Sequence, residues 1–409
     1  MKKITCCLIS VLLCGCTNQS SSSVVENKLI EESHSEFHFE EENAYGWFPG
    51  NAIFPARNGD YIFHVYSTTG VIYYQNPLMM SDKLTAFCDK PGCTHEDETC
   101  SAYIGEWSFI SYYKDKFYYT CNDEDGLLNL KELDPLTNSR RIIYVWDKPE
   151  NSEDTASGLI MSYDNAFVRK NRWTLDMDTG EQGFNEETYC VDINTGECKS
   201  IAKDIQYQTA YSIIGGTDEK AIFIKYQNEH YQTIEEWISH GNSEESYYEV
   251  YLENVWSNNN PLLISLDMKT KEETEITNVK EGFINYSDNY NKISNDQLLY
   301  VKNDEVHFYD IKNGKDNVVY HFDDIINYWY FDGRILFLTA DENHNNLKVY
   351  SYDYQINKLY SIANHGNDEV LEFSLDSETK TGFIANITRQ WIKKADFYND
   401  NYEDIVTLW

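Results

Sequence analysis

Positive charge is what this chain has least of: 33 Lys and Arg stand against 68 Asp and Glu, for a net charge of -35 and a pI near 4.5. A nucleic-acid binder needs a basic face to neutralise phosphates, so DNA and RNA are excluded as partners. Proline is scarce, at 7 in 409 residues, and with 41% hydrophobic and 15% aromatic residues the composition is neither disordered nor collagenous. No apolar run reaches the roughly 20 residues that span a bilayer. Catalytic signatures are missing as well: the chain has no G-x-S-x-G elbow, no H-E-x-x-H, no P-loop and no G-x-G-x-x-G. What it has in surplus is tyrosine, 33 beside 19 Phe and 9 Trp, a residue suited to half-buried strands and to binding surfaces.

The N-terminus reads as an address. Lys2 and Lys3 precede a short apolar run, Leu8 to Leu13, and then Cys14-Gly15-Cys16. A charged start followed by a run too short to span is a signal peptide, residues 1–15. The stretch Leu13-Cys14-Gly15-Cys16 resembles a bacterial lipobox, which implies a lipidated Cys16 as the mature N-terminus. An ordinary secretory peptide is the alternative. Residues 16–44 are polar and acidic, from Ser20–Ser23 through Glu26, Glu31, Glu32 and Glu36 to Glu42, as befits a flexible tether. Removing residues 1–15 takes away two lysines and no acids, which leaves the mature chain at -37. Anionic lipid repels such a domain, so attachment to the extracytoplasmic face of the cell membrane is expected to rest on the lipid.

Residues 45–409 alternate apolar and polar positions in short runs broken by Asn, Asp and Gly, which predicts an all-β domain. Between Ile326 and Ala363 four runs succeed one another, separated by turns at Asp332-Gly333, Asp341–Asn346 and Gln355–Asn357. The third run of each unit ends in an aspartate before a turn, and Asp267, Asp310 and Asp353 are 43 residues apart, with Asp192 in the same setting. A fixed period of that size with four strands per unit predicts a β-propeller of seven blades, with six and eight as alternatives. The aspartates are expected to accept turn N–H groups. The excess length of the fourth unit falls at 229–259, rich in Glu and carrying Trp237 and Trp256, either a partner-binding loop or a solvated elaboration. Asn122-Asp123-Glu124-Asp125-Gly126 is read as a β-turn rather than a calcium loop, because Cys121 stands where the first carboxylate belongs.

Beyond the signal and anchor there are six cysteines: Cys88, Cys93, Cys100, Cys121, Cys190 and Cys198. An even number in an exported chain predicts disulfides. The expected pairing joins two of Cys88, Cys93 and Cys100 to each other and the third to Cys121, with a cross-strand bridge from Cys190 to Cys198 around Asn194-Thr195-Gly196. The alternative for the first three adds His95: C-x4-C-x-H-x4-C supplies three thiolates and an imidazole, a tetrahedral donor set for zinc, with Pro91-Gly92 reversing the chain between ligands. Free or redox-active thiols are the third possibility.

With its lipobox, tether and Tyr-rich repeats, the segment Phe87-Cys88-Asp89-Lys90-Pro91-Gly92-Cys93-Thr94-His95 through Cys100-Ser101-Ala102-Tyr103 resembles a group of Firmicutes lipoproteins that carry a domain of unknown function and a TolB-like β-propeller. That resemblance implies a fold and a location and no activity. The resulting expectation is a surface module that binds a protein, peptide or glycan on a propeller face, without catalytic residues or cofactor. A secreted polysaccharide-active enzyme and a metal- or redox-handling protein are the alternatives.

Overall fold

Short alternating runs separated by turn formers are what antiparallel sheets require, and the computed structural model of this chain is built of such sheets. It describes Val25–Glu26, Asn43–Tyr45 and residues 51–408, apart from 56–60, 80–83, 178, 181, 206–207, 229–231, 248–260, 279–281, 284–292, 295, 323–324, 340–347, 364–374, 376 and 386–388. The signal peptide, Cys16, most of the tether and Trp256 lie outside the described residues.

Seven four-stranded antiparallel sheets succeed one another, at 51–86, 109–145, 152–203, 209–278, 282–321, 325–363 and 377–407. They are the blades of a seven-bladed β-propeller, each taken from its own stretch of chain. Blade 7 is completed by Val406–Thr407, and among the described residues no N-terminal strand joins it. The early strands attach elsewhere: Val25–Glu26 runs parallel to the outer strand of blade 6 (Lys358–Ala363), and Asn43–Tyr45 pairs with the inner strand of blade 3 (Ser152–Ser162). Among the described residues no helix is long and apolar enough to cross a membrane.

Each blade buries both faces against its neighbours, because alternate side chains of a strand point to opposite sides. Seven apolar clusters result, one per junction. Phe63, Val65, Ile110 and Phe117 join blades 1 and 2, and Ile160, Phe167, Ile213 and Phe223 join blades 3 and 4. The ring closes where Ile53 and Ile62 of blade 1 meet Ile384, Trp391 and Leu408 of blade 7. There Gly382 is required: its partner strand lays the Trp391 indole across it, and a Cβ would fall 2.1 Å from a ring atom.

The recurring aspartates do what the sequence predicts. Asp192 accepts the N–H groups of Asn194 and Thr195 at 2.8 Å each, and Asp267 those of Lys269 and Thr270 at 2.9 and 2.7 Å. Asp310 and Asp353 cap the same turns in blades 5 and 6, and Asp134 does so in blade 2. Asp123 likewise accepts the N–H groups of Asp125 and Leu127, so that segment is a turn.

Blade 3 departs from the pattern. Its three inner strands, Ser152–Ser162, Asn165–Leu175 and Gln182–Asp192, have 11 residues each, whereas the two inner strands of blade 4 have 8. The extra length overhangs the face where inner strands begin. The blade 4 insertion leaves from this face too, after Gln227, which pairs with the first residue of its blade, Thr209. Its described part holds two short helices, Ile234–Ser239 with a Thr233–Glu236 capping box and Glu244–Ser246, tied by a hydrogen bond from Trp237 Nε1 to Ser246 Oγ of 3.0 Å.

Candidate metal centre

The outer strand of blade 1 is made in two pieces. Thr85–Ala86 pairs with Tyr74 and Tyr73 of the third strand, and Phe87 donates to the Ile72 carbonyl. In unbroken register residue 88 would come next, but Tyr103 takes that place opposite Val71, with hydrogen bonds from Ile72 N to Ala102 O and from Ile104 N to Gly70 O. Residues 88–101 are looped out between the two half-strands. Gly70 and Gly105 make the second half possible, since Gly70 has φ +60° and a Cβ there would sit 2.6 Å from the Gly105 carbonyl oxygen.

Within this loop Gly92 and His95 adopt left-handed backbone, with φ 71° and 60°, and the chain folds back on itself. The result gathers Cys88, Cys93, His95 and Cys100, whose sulfur and ring-nitrogen atoms all lie within 4.8 Å of one another. His95 Nδ1 is 3.2 Å from Cys100 Sγ. Cys100 is buried and the other three are partly exposed. Backbone amides two residues ahead point at two of the sulfurs: Ala102 N donates to Cys100 Sγ at 3.3 Å, and the Lys90 amide to Cys88. These N–H···S contacts place partial positive charge where thiolate charge would sit. Burial raises the Cys88 thiol, but the bonds from Lys90, Cys100, Cys93 and Ser101 outweigh it and bring the group below its ordinary value. Cys100 goes the other way, to about 11, chiefly through burial.

The loop is fixed at its base and rim. Ser101 Oγ donates to the Phe87 carbonyl at 3.0 Å, across the gap between the half-strands. Arg140, from the outer strand of blade 2, donates to the carbonyls of Cys100 and Tyr103. Asn138 Nδ2 reaches the Glu98 and Thr99 carbonyls. Neither Arg140 nor Asn138 is legible in the motif itself, because both come from the neighbouring blade some 40 residues later.

A tetrahedral ion with bonds of about 2.0–2.3 Å spaces its donors by about 3.3–3.8 Å, so this cluster needs only a small contraction to hold one. Three soft sulfurs and an imidazole suit zinc better than the oxygen-seeking cations. All four positions are filled by protein, the arrangement of a structural site.

Among the described residues no disulfide is seen, and Cys88, Cys93, Cys100, Cys121, Cys190 and Cys198 stand as free thiols. Cys121 is buried on the second strand of blade 2 (Lys116–Asn122), where the charged groups acting on its thiol are Lys131, Asp123 and Glu98 rather than a cysteine. Cys190 and Cys198 are kept apart by register. Val191 is paired with Cys198 and Cys190 with Lys199, so the two cysteines project from opposite faces of blade 3. Cys190 packs with Ile160 and Phe167 toward blade 4, while Cys198 packs with Val191 and Ile143 toward blade 2. Burial pushes both thiols up, to about 12 and about 11.

No family model and no curated protein matches the chain. Among solved structures it is similar to an oligogalacturonate lyase in complex with manganese, at 10% identity and TM-score 0.40 over 86% of this chain and 94% of that one. An oligogalacturonate lyase from Vibrio parahaemolyticus gives 10% and 0.42 over 92% and 96%. Porphyromonas gingivalis dipeptidyl peptidase 4 gives 10% and 0.42 over 85% and 56%. At such scores no substrate or catalytic residue carries over to this chain.

Proposed function

We propose that the protein is a lipid-anchored binding scaffold of the extracytoplasmic membrane face, held by Cys16, and that a zinc ion on Cys88, Cys93, His95 and Cys100 locks the broken outer strand of its first blade. The observation that carries the metal assignment is the convergence of those four donors within 4.8 Å at the base of one loop. The ion would tie residue 88, at the end of the first half-strand, to residue 100, just before the second. It would thereby hold in place a loop that makes no ladder of its own. With no open coordination position, its chemistry there is structural: it gives the thiolates a partner and fixes the blade edge.

The anchor reading rests on the Leu13–Cys16 stretch, the acidic tether and the charge of the mature chain. The scaffold reading is supported by a closed ring of seven blades and by the absence of the common catalytic signatures from the sequence. Two experiments test the parts separately. Labelled palmitate fed to the producing cells is incorporated by the native chain and not by Cys16→Ser. Metal analysis of the soluble domain, purified without chelator, finds one zinc per chain, absent from His95→Ala. A domain that binds no zinc overturns the metal assignment.

A further inference from the structure

The overhang of blade 3 presents two unlike faces. On the side of blade 2 it is locked. Asp154, fully buried, takes Arg172 Nε at 2.7 Å and Lys170 Nζ at 3.0 Å. Asn122 Nδ2 and Arg172 Nη2 bond to the Asp154 and Asp147 carbonyls, stitching the overhang to the preceding blade. On the opposite face the outermost described rung is aromatic rather than ion-paired. Trp173, 49% exposed, lies against its cross-strand partner Phe184 with ring centroids 4.4 Å apart.

Directly inward from that aromatic pair the same face carries a polar rung. Ser157 Oγ bonds to Asn171 Oδ1 at 3.1 Å and to Glu186 Oε1 at 2.7 Å. Arg169 Nη2 sits between Glu186 and Asp204, at 2.7 and 3.0 Å. Asp204 accepts the Tyr211 N–H at 2.9 Å, which sets this rung level with the beginning of blade 4. Trp173 and Phe184 stand one rung further out on the same face, with Trp173 half exposed.

We infer that this overhang is a carbohydrate-binding platform for a neutral, equatorially substituted pyranose chain, with Trp173 stacking on a sugar ring, Phe184, tilted 48° to it, bracing the indole, and Asn171, Ser157 and Glu186 meeting the sugar hydroxyls. A flat, half-exposed indole on a rigid strand offers an apolar face to the C–H side of such a ring. The adjoining amide, hydroxyl and carboxylate supply the few placed polar groups that a small-molecule site needs. Charge selects the class. Exposed Glu153 lies beside Trp173 in a chain of net charge -35, which disfavours an anionic chain such as polygalacturonate. Glu186 and Asp204 are both held by Arg169, so a basic peptide would have to compete with that guanidinium for them.

The test is native affinity electrophoresis of the soluble domain through gels containing β-glucan, xylan, galactomannan or galactan, with polygalacturonate and poly-lysine as charged comparisons. At least one neutral polysaccharide is expected to retard the wild type, and Trp173→Ala and Phe184→Ala are each expected to weaken that retention at least tenfold. Trp173→Phe, which keeps a ring, is expected to retain part of it. Unchanged thermal melting and zinc content in the variants separate this outcome from failure of the fold or of the metal site. No retardation by any of the four neutral chains overturns the inference, as does retention that Trp173→Ala leaves intact. A Trp173-dependent interaction confined to polygalacturonate, to poly-lysine or to phosphatidylcholine vesicles also overturns it.

Discussion

Single residues in this propeller matter where two backbones or two buried charges meet. Gly70 combines left-handed backbone with a contact that a Cβ would occupy, so Gly70→Ala is expected to cost about 1–3 kcal/mol, measured by urea unfolding. Asp154 is a second such point. Burial raises its carboxyl, yet the bonds from Arg172 and Lys170 outweigh that and hold it below the usual range. Burial in turn lowers the Lys170 ammonium, so the lysine is the costly member and the Arg172–Asp154 bond is the favourable one. Asp154→Ala leaves Lys170 buried without its partner and is expected to destabilise by about 3–5 kcal/mol, whereas Lys170→Met is expected to be much milder. Asp204 has the opposite tendency, with burial pushing its carboxyl up to about 6 despite Arg169. A carboxyl raised on folding stabilises the native state at low pH, and that contribution is lost as pH climbs through its folded value. The stability of wild type relative to Asp204→Asn is therefore expected to fall between about pH 4 and pH 6, read from unfolding midpoints across that range. A flat difference contradicts the assignment.

At the scale of elements, the turn aspartates are interchangeable parts. Each caps the turn between the third and outer strands of its blade by accepting backbone N–H groups. Asp192→Ala and Asp267→Ala are each expected to cost about 1 kcal/mol, additively because they serve different blades. This is also the scale at which the sequence speaks most clearly. The runs Gln297–Lys302 and Arg334–Thr339 are strands buried almost throughout, because neighbouring blades cover both faces of each sheet, and polar turns bound them. The sequence misleads where a one-residue offset decides the outcome. Cys190 and Cys198 flank a turn that pairs Val191, not Cys190, with Cys198, and side-chain alternation then separates the thiols. The break in the outer strand of blade 1 is hidden for another reason. Its second half is recognised by hydrogen bonds to Gly70 and Ile72, which lie thirty or more residues earlier. The overhang of blade 3 escapes notice because its outermost rungs are mostly polar and look like loop.

For the whole molecule, a closed ring of seven similar blades spreads stability over seven junctions, so a weak place is a sheet whose outer strand is broken. That place is blade 1, where the proposed zinc ion rather than a disulfide would hold the two half-strands together. If the ion binds only the folded state, free zinc at about 1,000 times its Kd adds about 4 kcal/mol to stability. Removing the ion with a strong chelator is accordingly expected to lower Tm and to expose residues 88–101 to proteolysis before the rest of the propeller. The most direct test is native and denaturing mass spectrometry of the soluble domain, with and without reductant. One zinc per chain and six free thiols after denaturation are expected, with the zinc absent from Cys100→Ser. A domain lighter by about two mass units per bridge, regained on reduction and with no metal bound, would contradict the zinc assignment.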